Sequence, residues 1–494
     1  MCVASGLLGA AEETPPPRLA VVISVDQMRA DYLERFRPYF GEDGFKRLTD
    51  QGAWFKDSHY QHAVTKTAPG HATILSGVHA NVHGIIANEW LDRRTFIQGN
   101  NVEDANAPLV GLPPRLDRYA NATFAAKAGR SPRNLLGVTV GDRLKARYGG
   151  SAKVFGVADK DRAAILMSGS KADGAYWTEE GGFVTSTYYR LALPDWLAQF
   201  NAERGAARHF GQVWDRLLDP AVYDRVQGPD DAPGEAAEDG LPVTFPKKID
   251  GGKPQLTNAY FDAFDHTPWD NDLVEDMVER LVAHEHLGED NTPDLLCVGF
   301  SQPDRAGHAY GPDSHEIMDT YLRLDRTLAK LFQFLDGKVG RGRYVLVLTA
   351  DHGVAPLPEK IQRGKGRGRG RTAERRGARQ VPVCGPRRRV RPSARERLLG
   401  GARQQRLSLK PGGARGEKTD RGGTGRSHPH GAADLSPDRR RLYARAADGP
   451  GSARRVRRDG APELLSAAQH GRGLYSEAVF HRARLRRRDP RHAL

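Results

Sequence analysis

Three short apolar runs punctuate the chain: LAVVISV over residues 19–25, PDLLCVGFS over 293–301 and RYVLVLTA over 343–350. Each is continuous rather than alternating, the pattern of a parallel strand covered on both faces. Each runs into residues able to carry chemistry: Asp26 after the first, residues 302–311 after the second, and Asp351 and His352 after the third. Ligands of open α/β sheets bind beyond the carboxyl ends of the strands, so three strands are expected to bring acids or imidazoles to one edge. Between the runs, apolar positions recur at helical spacing in MRADYLERF (28–36), SPRNLLGVTVGDRLKARY (131–148), NDLVEDMVERLVAHEHL (271–287) and HEIMDTYLRLDRTLAKLFQFL (315–335). The pattern predicts an α/β fold, a mostly parallel central sheet with helices on both faces. GAYWTEEGGFVTSTYY (174–189) reads as a hairpin and residues 227–252 are rich in Pro, Gly and Asp. Residues from about 176 to 265 are therefore expected to form an inserted cap.

Composition divides the chain. The net charge of +14 over 494 residues resolves into +25 for residues 361–494 and −11 for residues 1–360. The last 134 residues hold 33 arginines against 3 lysines, no tryptophan, and only Tyr443, Tyr475 and Phe480 as aromatics. Such a segment has too little apolar surface for a core, so it is expected to be non-globular. Three readings are open: a disordered arm for polyanions, an irregular lysine-poor extension, or a GC-rich coding region translated out of frame. The frame error accounts best for the excess of Arg, Gly, Ala and Pro. No specific nucleic-acid partner is expected, because the tail has neither a binding motif nor interleaved aromatics; non-specific polyanion contact is the most it predicts.

The body thus spans residues 19–360, long enough for a large core. Three cysteines, Cys2, Cys297 and Cys384, form no disulfide framework and no thiolate cage, so any metal must be held by imidazoles and carboxylates. No stretch reaches the roughly 20 apolar residues of a membrane span. Residues 1–18, MCVASGLLGAAEETPPPR, carry a short apolar stretch and small residues at Gly9, Ala10 and Ala11. They read as a signal-peptide remnant or a disordered N-terminus; the first reading places the protein in the periplasm or outside the cell.

Four constellations carry chemistry. Asp304 and His308 stand four apart, so on a helix both can face one divalent ion; the same spacing is also common on helix surfaces. Asp351 and His352 can serve one site only where the backbone turns, which Gly353 permits. Asp26 adds an anionic oxygen, or serves as a helix cap. Thr67, before Ala-Pro-Gly and a helix-like run, lies at a helix N-terminus, a location that favours anions. Its hydroxyl either caps that helix or, if a metal lowers its pKa, acts as a nucleophile.

The ordered set SVDQMRADYL, TKTAPGHATILSG, HGIIANEW, ADKDRAAIL, QPDRAGHAYGP and TADHGV resembles the alkaline phosphatase superfamily, in particular its threonine-nucleophile branch. That branch includes nucleotide pyrophosphatase/phosphodiesterases and bacterial periplasmic alkaline phosphatases of the PafA type. The resemblance implies two zinc ions and phosphoryl transfer through a phosphothreonine intermediate. It implies that Asp26, Asp351 and His352 bind the zinc that activates Thr67, and that Asp304 and His308 are two of three ligands of the other. It implies that Asn88 holds a non-bridging oxygen, while Lys160 and Arg162 hold the dianionic phosphate of a monoester, which a diesterase does not need. The family's last zinc histidine comes from a late His-Gly motif. Here His430-Gly431 and His470-Gly471 lack its flanking pattern, so the second site is expected to be incomplete and activity impaired. The expected function is hydrolysis of a small phosphate monoester. The alternatives are a phosphodiesterase or nucleotide pyrophosphatase, and an inactive remnant with a polyanion-binding tail. A sulfatase on the same scaffold would need a modified cysteine or serine where Thr67 stands. The oligomeric state is not legible.

Overall fold

The computed structural model of the chain describes residues 16–113 and 129–364. The expectations for the first fifteen residues and for the tail beyond residue 364, His430 and His470 included, lie outside the described residues. A short helix, Pro358–Gly364, crosses the boundary expected at residue 361.

Seven strands form the central sheet: β1 (Leu19–Val25), β2 (Leu109–Val110), β3 (Val154–Ala158), β4 (Gly174–Glu179), β5 (Gly182–Ser186), β6 (Asp294–Phe300) and β7 (Tyr344–Thr349). Their spatial order is β7-β1-β6-β3-β4-β5-β2. The first five are parallel neighbours; β5 and β2 join antiparallel. Register brings Val25 opposite Phe300 and Ser24 opposite Thr349, so β1, β6 and β7 end level with one another. The hairpin expected within a cap lies instead in this sheet, because β4 pairs parallel with β3 before turning into β5. Its residues 174–177 are fully buried, which a solvent-facing insertion would not offer.

The continuous apolar runs have a simple cause. In β1, Leu19, Val21, Ile23 and Val25 enter one core, while Ala20 and Val22 pack on the other face. On the first face lie the helices α3 (Trp269–His284) and α5 (His315–Leu335). The opposite face carries α1 (Thr67–Ser76) and α2 (Asp161–Ser168), whose alanines Ala68, Ala72, Ala163 and Ala164 allow close packing. Strand β7 departs from two-sided burial: Val345 and Val347 are 45% and 48% exposed at the sheet edge.

Two helix expectations need correction. The helix expected over residues 131–148 starts only at Val140, where the Thr139 hydroxyl accepts from Asp142 N and the Asp142 carboxylate accepts from Thr139 N. That capping box fixes the start eight residues after Pro132. Likewise 28–36 yields one turn, Tyr32–Arg35, followed by a 3-10 turn with Pro38 near its start. The segment after β5 is tied to the body through Asp319 of α5, fully buried, which accepts from Trp214 Nε1 at 2.7 Å, Tyr223 Oη at 2.6 Å and Leu217 N at 2.8 Å.

Candidate active site

Because β7, β1, β6 and β3 are consecutive parallel neighbours, the residues after their carboxyl ends meet. They are Asp351 and His352 after β7, Asp26 after β1, Asp304 on α4 (Gln302–Tyr310) after β6, and Lys160 after β3. Strand β7 stops at Thr349, so Asp351 and His352 lie past it and are released from strand alternation. Asp26 and Asp351 are fully buried, Asp304 is 4% exposed and His352 8% exposed.

The distances define one cluster. Asp26, Asp304 and His352 each offer a ligand atom within 4.8 Å of the others. His352 Nε2 lies 3.3 Å from Asp26 Oδ1, 3.6 Å from Asp351 Oδ2 and 4.0 Å from Asp304 Oδ1. Its Nδ1 pairs with the Gly353 carbonyl at 2.9 Å. Since a carbonyl only accepts, Nδ1 carries a proton and Nε2 is the atom turned to the carboxylates. Lys160 Nζ sits between Asp26 Oδ2 at 2.8 Å and Asp304 Oδ2 at 2.5 Å. His308 follows Asp304 by one helical turn, with Nε2 3.2 Å from Asp304 Oδ1, and it is the exposed member of the set.

Thr67 is the first residue of α1 and 3% exposed. Asn88 anchors that helix end, its Oδ1 accepting from Ala68 N at 2.9 Å. The Asn88 carbonyl accepts in turn from Asn101. Arg162 stands apart from the carboxylates: its Nη1 is 3.7 Å from Asp161 Oδ1, and its buried Nε has no hydrogen-bond partner.

Two residues of this site carried no sequence expectation. His71, one turn after Thr67, is fully buried, with Nδ1 2.8 Å from the Thr67 carbonyl and 3.4 Å from Asp351 Oδ2. Gln27 donates from its backbone N to Asp351 Oδ1 at 3.2 Å and from Nε2 to Asp304 Oδ1 at 2.6 Å. The four-residue spacing from Thr67 offers a signal for His71; adjacency to Asp26 is the only one for Gln27.

The electrostatics are those of an overfull anion cluster. Burial raises the Asp26 carboxyl, but Lys160, His352 and His71 outweigh it and hold it well below the usual range. Burial and the neighbouring Asp26 push Asp351 well above it. His352 is raised to about 9, burial being outweighed by the close approach of its Nε2 to Asp26 and by the charges of Asp351 and Asp26. Burial drives His71 down to about 4, so it is neutral.

Three buried polar atoms from three elements lack a hydrogen bond: Asp26 Oδ1, Asp351 Oδ2 and His71 Nε2. Buried polar atoms are rarely left so. Carboxylate oxygens with an imidazole Nε2 form a donor set suited to a divalent ion, and the residues fit one.

Residues 20–398 match the family model for type I phosphodiesterase / nucleotide pyrophosphatase. The chain is 37% identical to alkaline phosphatase PafA of Elizabethkingia meningoseptica, over 72% of this chain and 63% of that protein. It is 36% identical to alkaline phosphatase PhoV of Synechococcus elongatus, over 69% of this chain and 60% of that protein. The crystal structure of wild-type alkaline phosphatase PafA superposes with a TM-score of 0.64 at 36% identity, covering 71% of this chain and 65% of the other. The chain thus spans somewhat under two thirds of the length of these relatives. Among the described residues no helix is long and apolar enough to cross a membrane.

Proposed function

The chain belongs to the type I phosphodiesterase/nucleotide pyrophosphatase family of the alkaline phosphatase superfamily, and from that membership we propose that it hydrolyses phosphate monoesters with Thr67 as nucleophile. One observation supports the reading: Asp26, Asp304 and His352 offer ligand atoms within 4.8 Å of one another, and His71 Nδ1 lies 2.8 Å from the Thr67 carbonyl and 3.4 Å from Asp351 Oδ2. In the proposed step the Thr67 Oγ–P bond forms as the ester P–O bond breaks and the alcohol leaves. Water then cleaves the phosphothreonine, releasing phosphate and restoring the hydroxyl.

Asp26, Asp351 and His352 would hold one ion, Asp304 and His308 would contribute to a second, and zinc, which accepts imidazole and carboxylate donors, is the metal proposed. When bound, such ions acidify the nucleophile and neutralise charge on the apical oxygens. The protein's own groups do the rest. Asn88, with Oδ1 committed to Ala68, offers its amide donor to a non-bridging oxygen. At the start of α1 the Ala68 N–H is taken by Asn88 and the Gly70 N–H by the Lys66 carbonyl, so the helix contributes the positive end of its dipole and not a row of free donors. Lys160, held by two carboxylates, brings a cation to the additional charge that separates a monoester from a diester. Arg162 is proposed to join it by turning from Asp161.

That orientation of Arg162 favours a second reading, a diesterase in which the arginine takes no part. Initial rates on an aryl phosphate and on its aryl phosphodiester separate the two. The monoester reading expects preference for the first substrate, loss of at least about 1,000-fold in Thr67→Ala, and a fall in preference in Lys160→Ala. Diester preference unaltered by Lys160→Ala would refute it.

A further inference from the structure

Six described non-glycine residues have positive φ: Gln27, Phe96, Glu180, Arg204, Asp239 and His286. Gln27 alone among them is buried, at 4% exposure with φ 64°. That conformation strains a residue with a β-carbon and leaves glycine free. A strained backbone in a buried place persists only where its surroundings over-determine it. Here they are two carboxylates and a notch.

The backbone N of Gln27 donates to Asp351 Oδ1, and its side-chain Nε2 donates to Asp304 Oδ1 at 2.6 Å. One residue thus grips one carboxylate from each of the two proposed ion sets. The left-handed turn is what sends the N–H and the amide to different strand ends. The notch is Gly307, one turn along α4 from Asp304: a β-carbon there would lie 2.1 Å from Gln27 Oε1. The absence of a side chain at Gly307 is therefore what admits the amide. With Oδ1 of Asp304 taken by Gln27, Oδ2 is the oxygen directed to the Lys160 ammonium shared with Asp26.

We propose that Gln27 is a positioning residue that sets the separation of the two ion sets, fixing Asp351 through its main chain and the orientation of Asp304 through its amide. The inference rests on the two-ion reading above. It makes the left-handed backbone the means by which one residue reaches both carboxylates, and Gly307 its structural counterpart.

Gln27→Gly separates this role from folding, since glycine relieves the backbone while deleting the amide. Gln27→Glu keeps the size but turns a donor into an acceptor facing Asp304. For wild type and both variants, zinc affinity is read by competition with a chromophoric chelator, and thermal unfolding is followed on chelator-stripped protein. The expected result for Gln27→Gly is unfolding at or above the wild-type temperature, with zinc affinity reduced about 10–100-fold, the effect typical of groups that orient metal ligands. Gln27→Glu should show a similar loss. On an aryl phosphate, kcat should fall with little change in KM. Wild-type zinc affinity in Gln27→Gly overturns the proposal alone. A wild-type chain that takes up no zinc overturns the two-ion reading, and this inference with it.

Discussion

Gly70 provides a direct test of how closely α1 must approach the end of β7. It lies three residues after Thr67, facing the main chain of Asp351. A β-carbon at Gly70 would lie 2.3 Å from the Asp351 carbonyl oxygen, 2.7 Å from its carbon and 2.8 Å from Asp351 Cβ. Non-bonded carbons settle at about 3.5–4.0 Å, so Gly70→Ala requires the helix and the Asp351 turn to part by roughly 1 Å. The obstacle is backbone, and no rotamer change relieves it. Two terms oppose each other: alanine gains about 1 kcal/mol of helix propensity over glycine, while overpacking costs about 1–3 kcal/mol. Net stability should therefore change by less than about 2 kcal/mol, and the variant should fold. Function should not escape, because a misplacement of about 1 Å near the chemistry costs on the order of 100-fold. The assay is kcat for an aryl phosphate monoester, with zinc uptake measured on the same protein. A folded Gly70→Ala chain whose kcat and zinc affinity stay within about threefold of wild type would refute the reasoning.

Further outcomes follow from other parts of the molecule. His352, raised to about 9 against an ordinary 6.5, contributes stability to chelator-stripped protein that is complete below about pH 6.5 and disappears as pH rises through about 9. Its melting temperature should decline across that window while zinc affinity rises, since the ion displaces the proton; a profile identical in His352→Gln contradicts the assignment. Asp325 accepts from Gly41 N and Phe45 N, each at 2.7 Å, so Asp325→Ala should destabilise by about 2 kcal/mol through two stranded donors, with zinc affinity unchanged. Equal denaturant midpoints for the two proteins would contradict this. Cys297 lies buried in β6 and burial pushes its thiol far above the ordinary range. Peptide mapping after thiol labelling at pH 8 should find it modified only in denaturant, and labelling in the native state would show that strand to open.

The parts of the fold legible in the sequence were those with a one-dimensional signature. The two-sided cores around β1 and β6 wrote themselves as unbroken apolar runs, and α5 spans residues 315–335 as its periodicity requires. The hairpin at 174–186 was legible as a hairpin, but its placement was not. Nothing local to GAYWTEEGGFVTS states that Gly156 pairs with Ala175. The true start of the helix at Val140 depended on a reciprocal pair, Thr139 and Asp142, that competes with the longer apolar pattern upstream. At the site, residues whose type declares their chemistry stood out: Asp26, Thr67, Asp304, Asp351 and His352. Gln27 and His71 act by orientation, through a positive φ and a hydrogen bond to a helix carbonyl. Such roles exist only once the chain has folded.

The pairing of β1 with β6 and β7 also sets a timetable for the newborn chain. Leu19 finds its partners at Asp294 and Tyr344, so both neighbours of β1 are still unsynthesised when it leaves the ribosome. At about 5–20 residues per second, the strand waits on the order of 15–60 s with Val21, Ile23 and Val25 uncovered. Asp26 waits with it, an acid without its counter-charges, until Lys160 and then His352 emerge. The same strand that organises the finished site is thus exposed for most of translation, and slow stretches of message ahead of residue 294 would lengthen that exposure.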